Sequence, residues 1–305
     1  MTERLARRLW FGIGPGVAVD DAPDVVRRVE YADRAGLDFF ALSDHPYYGD
    51  RLEAYSTLGL LLGRTRSITG VTTVTNLPTR PVPLLARTLS TLSALSGGRV
   101  VLGIGAGGYW DDIARFGVTR LDPAAAVRAL EEAIGLVRAL SDGPAPVTLD
   151  GEFTQVVGLD PAPVPAPLVW TGSVGPKSLA VTGRSADGWI PGNAADWHSE
   201  RYRSSRPLVE EAARSVGRDP ADIVTVFNLP ARITDAPVNA PRDSSGRWLG
   251  GSVGQWITEL TEAVLEHGAS GFVYFASGDP SGQVGLGRWA EEIVPAVREA
   301  VAKDR

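Results

Sequence analysis

The sequence predicts an α/β protein folded as a (β/α)8 TIM barrel with insertion loops. Short apolar runs with strand character alternate with longer segments of helical period, which is typical of βα units that feed a parallel sheet. Eight such runs occur within 305 residues, and a barrel of this kind needs roughly 250 residues plus insertions. Both observations favour a closed barrel over an open sheet, and we expect one domain over residues 1–305.

The predicted strands are short and rich in apolar, β-branched and aromatic residues. In chain order they are Leu9–Gly14, Phe39–Ser43, Ile68–Val74, Val100–Gly105, Leu168–Thr171, Gly188–Ile190, Ile223–Leu229 and Gly271–Phe275. The segments between them have helical spacing, as at Val25 and Val29 in the first. Asp122 before Pro123 predicts an N-cap and the first position of a helix, and Pro295 predicts a bend in the last helix.

Two connections are longer than a compact barrel requires. Ser141–Pro167 is proline-rich and contains a hairpin-like stretch at Val147–Val157, and Ala231–Gly251 is proline-rich and polar. Loops of this length are commonly lids or partly disordered segments. We expect both to contribute to the substrate wall.

Composition excludes several classes of function. The net charge of −6 argues against a nucleic-acid partner, and the absence of cysteine excludes disulfides and thiolate chemistry. The three histidines, His45, His198 and His267, stand singly without metal-ligand spacing, so no metal site is predicted; the last two are assigned to helical segments with structural roles. Because Met1–Arg8 leads into no signal-like apolar segment and no membrane-spanning run occurs, we expect no membrane partner and a cytoplasmic location.

A barrel places its active site at the C-terminal ends of the strands. Asp44 and His45 follow the second predicted strand, with Tyr47 and Tyr48 just behind them. Histidine titrates near neutral pH, so the pair suits general acid–base chemistry beside a planar ligand, with Asp44 orienting His45. The alternative is a loop histidine whose neighbouring aspartate caps a turn.

The third and fourth strands end in groups that suit a flat ligand. The third ends in hydroxyl and amide groups, although Thr and Val are also simply good strand formers. The fourth ends in glycines, which let backbone approach a ligand closely. The residues concerned are Thr73, Val74 and Thr75, then Gly105, Ala106, Gly107 and Gly108.

The glycines from Gly103 to Gly108 also spell the G-x-G-x-x-G pattern of dinucleotide-binding folds. That fingerprint normally belongs to the first βα turn, whereas this one follows three complete units. A tight turn that needs positive φ explains the glycines equally well.

The segment after the fifth strand predicts a phosphate site. It combines glycines, a hydroxyl, a proline near a helix start and a lysine, and a helix N-terminus offers free N–H donors to an anion. Its residues are Gly172, Ser173, Val174, Gly175, Pro176 and Lys177. A plain, well-capped connection is the alternative.

Taken together, these stretches resemble the bacterial luciferase-like monooxygenase superfamily from Trp10 to about Val297. The resemblance rests on Asp44-His45, on Thr73–Arg80, on Leu95–Arg99 leading to Gly103-x-Gly105-x-Gly107, and on Thr171–Pro176 followed by Ala186-Asp187-Gly188-Trp189.

The resemblance implies a barrel, usually a homodimer, that binds FMN or the deazaflavin coenzyme F420. An Asp-His ending of strand two is typical of the F420-dependent branch, which implies an oxidoreductase that transfers hydride between F420 and a small organic, apolar or cyclic substrate. It further implies a cis peptide at Thr73-Val74, Gly107 and Gly108 beside the ring, and the coenzyme phosphate at Gly172–Lys177. Gly108 stands where sugar-phosphate dehydrogenases of this branch carry glutamate, so their substrate is not implied. An FMN-dependent monooxygenase or reductase, and a non-catalytic flavin-binding protein, are the alternatives.

Overall fold

Eight parallel strands close into a barrel in the computed structural model, which describes residues 8–192, 195–276 and 283–304. The strands of the described residues are β1 (Trp10–Ile13), β2 (Phe39–Leu42), β3 (Thr69–Thr72), β4 (Thr75–Asn76), β5 (Val100–Gly105), β6 (Val147–Asp150), β7 (Gln155–Leu159), β8 (Leu168–Thr171), β9 (Gly188–Trp189), β10 (Val224–Thr234), β11 (Gly250–Ser252) and β12 (Gly271–Ala276). The barrel order is β1-β2-β3-β5-β8-β9-β10-β12, and β12 pairs with β1. The predicted fold class is confirmed.

Helices cover the barrel on the outside. Those of the described residues are α1 (Ala22–Arg34), α2 (Ala54–Arg64), α3 (Val82–Ser96), α4 (Trp110–Arg115), α5 (Pro123–Ala139), α6 (Pro176–Ser185), α7 (Glu200–Ser215), α8 (Val253–Leu265), α9 (Gln283–Arg288) and α10 (Val294–Lys303). Asp122 caps α5 by accepting from two backbone N–H groups, as predicted. Trp289–Ile293 forms a π-helical turn, and Pro295 lies in the first turn of α10 that follows it. The bend predicted at Pro295 stays a prediction.

Side chains alternate between the barrel interior and the helical layer along each strand. Trp10, Phe39 and Trp170 pack edge to face inside, with ring centroids 5.6 to 6.3 Å apart. Phe11, one residue along from Trp10, packs outward against Phe272. The interior is therefore a filled core, and a ligand must bind at the strand ends.

The predicted third strand is split in two. β3 ends at Thr72, the Thr73–Val74 peptide bond is cis, and β4 resumes the pairing with β5 at Thr75. The predicted continuous strand Ile68–Val74 is therefore wrong at its end, because Thr73 and Val74 leave the ladder and face the strand-end cavity described below.

Both predicted insertions contain additional strands. The first contains the antiparallel hairpin β6–β7, as expected. The strand predicted as Ile223–Leu229 is longer than expected: β10 continues to Thr234 because it pairs with β12 and then with β11.

The bottom of the barrel is fixed by Arg99, which donates to the backbone carbonyls of Leu62, Ile68 and Ser96. Residues 1–7, which include most of the segment considered above for a signal sequence, lie outside the described residues. Among the described helices, none combines the length and the apolar character needed to cross a bilayer.

Candidate active site

A cavity of about 330 Å³ lies at the C-terminal ends of β2, β3, β5 and β8. It is lined by Asp44, His45, Thr73, Val74, Thr75, Asn76, Gly105, Ala106, Gly107, Gly108, Tyr109, Gly172 and Val174. Eleven of these thirteen residues are site residues predicted from the sequence; Asn76 and Tyr109 are the additions. The four strand ends that the sequence treated separately therefore form one site.

Val74 forms the centre of the cavity floor. A Cβ added at Gly105 would lie 2.8 Å from Val74 Cγ2, and one added at Gly172 would lie 3.0 Å from Val74 Cγ1. These two glycines are required because the Val74 side chain fits between them. Behind the floor, buried hydroxyl groups hold the strand break: Thr75 bonds to Thr72 at 2.9 Å and to Tyr55 at 2.7 Å.

Asp44 serves a different partner from the one expected. Its carboxylate accepts from Arg80 at 2.6 and 3.1 Å and from the Asn76 backbone N–H at 3.0 Å. Arg80 also donates to Glu53 at 2.7 Å and lies over the ring of Tyr55. Among the described residues, the hydrogen bonds of Asp44 go to Arg80 and Asn76, so the predicted orienting of His45 by Asp44 is not made through a hydrogen bond. The charge of Asp44 acts on His45 through space.

His45 is oriented by Tyr47. The His45 Nδ1 atom lies 2.7 Å from the Tyr47 hydroxyl, which also accepts from the Asn76 amide at 3.4 Å. Burial lowers the pKa of His45, and the charge of Asp44 opposes that shift only in part. Burial also raises the pKa of Tyr47 to about 12, so its hydroxyl stays neutral. The site therefore favours a neutral His45 imidazole whose Nδ1 is held by a hydrogen bond with Tyr47.

Aromatic rings surround this imidazole. The ring of Tyr109 meets His45 edge to face at 5.3 Å, and the ring of Tyr48 lies 5.9 Å away. The Tyr48 hydroxyl donates to Asp112 at 2.8 Å, which ties the loop after β2 to α4. A ligand in this cavity thus meets aromatic side chains and the His45 imidazole, beside the carboxylate of Asp44.

The predicted phosphate segment contributes in part. Gly172 and Val174 line the cavity, whereas Ser173, Gly175, Pro176 and Lys177 are not among the described residues that do. Ser173 is buried, and its Oγ atom has no hydrogen-bond partner among the described residues. The start of α6 at Pro176 likewise has no side-chain cap within the part of the chain that the structure describes. An anion at this end of the cavity would meet donors that are otherwise unused.

The sequence model of the luciferase-like monooxygenase family matches residues 8–277. The chain belongs to this family. The chain is also 30% identical, over 70% of its length, to the 5,10-methylenetetrahydromethanopterin reductase of Methanolobus tindarius. The chain spans about three fifths of the length of that reductase, 63%.

Two further proteins match over nearly the whole chain. The F420-dependent glucose-6-phosphate dehydrogenase of Beutenbergia cavernae is 27% identical over 90% of this chain and 93% of its own. The structure of an F420-dependent secondary alcohol dehydrogenase in complex with an F420-acetone adduct superposes with a TM-score of 0.80. It covers 95% of this chain and 99% of that one at 20% identity, which shows that the two share the fold.

The sequence patterns predict no role for Arg80, although it lies in the Thr73–Arg80 stretch that carries the family resemblance. The other two histidines lie elsewhere than predicted. His198 lies in the turn before α7 and His267 in the turn after α8, and their rings meet edge to face with centroids 4.5 Å apart. They are neither helical nor single, because the fold brings together residues that are far apart in the chain.

Proposed function

We propose that this protein is an oxidoreductase that transfers hydride between coenzyme F420 and a small organic substrate. The proposal rests on the His45 imidazole. It is half-buried, contacts the Tyr47 hydroxyl and lines the cavity at the C-terminal ends of the barrel strands. Two of the relatives described above are F420-dependent, which supports the choice of coenzyme. The aromatic wall supports an apolar or cyclic substrate.

The residues present fit a deazaflavin. Val74, Gly105 and Gly172 would lie against the ring system, since the glycines leave backbone exposed to a flat ligand. The coenzyme phosphate would be held by the Ser173 hydroxyl and by the start of α6, neither of which has a side-chain partner among the described residues. We propose this role for Gly175, Pro176 and Lys177 as well, with Gly107 and Gly108 beside the ring.

His45 is proposed to move the proton that accompanies hydride transfer. In alcohol oxidation, F420 would supply the acceptor for the hydride that leaves the C–H bond, and Nε2 of His45 would take the hydroxyl proton. The Tyr47 oxygen can accept a hydrogen bond from His45 Nδ1–H both before and after Nε2 takes up a proton. Because burial lowers the pKa of His45, the proton-accepting form predominates at neutral pH. Reduction of a carbonyl uses the charged imidazole and is favoured at lower pH.

Replacement of His45 by Ala tests this assignment. We expect turnover with F420 to fall about 10²- to 10⁴-fold, while the Kd for F420 changes only a few-fold, since the ring floor and phosphate end are intact. Arg128→Met is the control, because the Arg128 side chain is half-exposed and lies outside the cavity. Unchanged turnover in His45→Ala would show that another group moves the proton, and loss of F420 binding would make His45 a binding residue.

We also propose that the chain folds as a single domain and forms a homodimer. The cytoplasmic location stays a prediction. Leu60 on α2 and Leu84 and Leu95 on α3 are 56%, 63% and 83% exposed. They lie on two helices that contact each other, and an interface between two copies of the chain would bury them. Light scattering after size-exclusion chromatography is expected to give twice the chain mass. Replacing Leu84 by Glu should reduce that mass, and a parent protein that runs as a monomer would contradict the proposal.

A further inference from the structure

A cluster of possible metal ligands lies away from the candidate active site. His198 precedes α7, His267 follows α8, and Glu262 lies in the last turn of α8. One ligand atom from each of the three lies within 4.8 Å of the others. We propose that His198, Glu262 and His267 bind a Zn²⁺ ion or a similar late transition-metal cation.

The distances within this cluster suit a tetrahedral ion. Glu262 Oε1 lies 3.2 Å from His198 Nε2 and 3.7 Å from His267 Nε2. With bonds of about 2.0–2.1 Å, a tetrahedral Zn²⁺ ion holds its ligand atoms about 3.3 Å apart. Small side-chain adjustments would therefore complete three bonds.

Both imidazole nitrogens are available. Among the described residues, neither His198 Nε2 nor His267 Nε2 has a hydrogen-bond partner, although both are buried at the atomic level. Their contacts with Glu262 are close enough for a charge pair but lack the alignment of a hydrogen bond. Buried polar atoms without partners need an explanation, and a bound cation supplies one.

The backbones of both histidines are held in place by α7. Arg203 donates to the His198 carbonyl at 2.9 Å, and Tyr202 and Arg206 donate to the His267 carbonyl at 2.7 and 2.6 Å. The two turns are thus fixed relative to each other before any ion binds. Such preorganisation reduces the ordering that binding requires.

Charge at the cluster is compatible with a cation. The neighbouring arginines each pair with a different carboxylate: Arg203 with Glu200, Arg206 with Glu210, and Arg242 with Glu259. Glu262 is left to face the two imidazoles. The side chains of His198, His267 and Glu262 are 27%, 20% and 33% exposed, so water can supply the fourth ligand of an open site.

The chain offers a clean test because it contains three histidines and no cysteine. Untagged, metal-free protein is titrated with Zn²⁺ by calorimetry, and with Co²⁺ by visible absorption, which reports tetrahedral coordination. We expect one Zn²⁺ per chain with a Kd of about 10 μM or tighter, no competition from Mg²⁺, and a raised unfolding temperature. His45→Gln, the matched control, should bind Zn²⁺ as the parent does.

His198→Gln and His267→Gln are each expected to weaken Zn²⁺ binding at least about 100-fold. Glu262→Gln keeps the side-chain shape and serves as a second test if a histidine variant fails to fold. The proposal is overturned if the parent does not bind Zn²⁺ below about 100 μM. It is equally overturned if folded variants bind as tightly as the parent.

Discussion

Replacement of Arg80 by Met is predicted to destabilise the protein far more than the loss of an ordinary surface ion pair. The Asp44 side chain is 1% exposed and accepts two of its three hydrogen bonds from Arg80. Arg80→Met leaves that charge buried with only the Asn76 N–H as a partner. Breaking one side of a buried pair destabilises a fold by about 3–5 kcal/mol, and we expect a loss of that size in the free energy of unfolding.

Urea unfolding, followed by circular dichroism, measures this loss. Arg128→Met is the matched control: Arg128 makes a similar two-point pair with Glu152, at 2.7 and 2.9 Å, but both side chains are 53% exposed, so we expect little change. The double variant Asp44→Asn with Arg80→Met should recover at least about 1.5 kcal/mol relative to Arg80→Met, because the uncompensated charge is gone. A loss below about 1 kcal/mol in Arg80→Met, or no recovery in the double variant, would refute the reasoning.

Three further predictions concern the cavity. In the alcohol-oxidation direction, kcat/KM should rise with pH through a pKa below the ordinary 6.5 of histidine and then stay level. Burial lowers the pKa of His45, and its neutral form accepts the proton. A rise of kcat/KM that continues above pH 7 would contradict this. Tyr47→Phe removes the hydroxyl that accepts a hydrogen bond from His45 Nδ1, so the rise of kcat/KM should move to lower pH and kcat should fall about 10-fold. A pH profile that does not move would exclude this hydrogen bond. Gly105→Ala should weaken F420 binding at least about 10-fold, since the new Cβ meets Val74. Adding Val74→Ala should restore F420 binding. A double variant that binds F420 no better than Gly105→Ala would contradict the packing argument.

The barrel could be predicted from the sequence because it depends on local patterns. Apolar runs such as Val100–Gly105 specify strands regardless of their partners, and Asp122-Pro123 specifies a helix start within two residues. The rule that sites lie at the C-terminal ends of barrel strands then places Asp44, Gly105 and Gly172 together. That inference needs no side-chain geometry.

What the sequence could not give are the pairings between distant side chains. Asp44 is next to His45 in the chain, yet its hydrogen bonds go to Arg80, 36 residues away. The preference arises because Arg80 offers two aligned donors and full charge compensation to a buried carboxylate. The contact between His198 and His267 depends likewise on how α7 packs against the end of α8. No periodicity encodes such a contact.

The central claim is that the cavity at the strand ends binds a deazaflavin for hydride transfer. The most direct measurement is a fluorescence titration of the purified apoprotein with oxidised F420 and, in parallel, with FMN at one fixed salt concentration. We predict F420 binding in the micromolar range or tighter, with FMN bound at least about 10-fold more weakly. Preference for FMN would instead support a monooxygenase or flavin reductase on the same fold, and binding of neither would contradict the cofactor assignment itself.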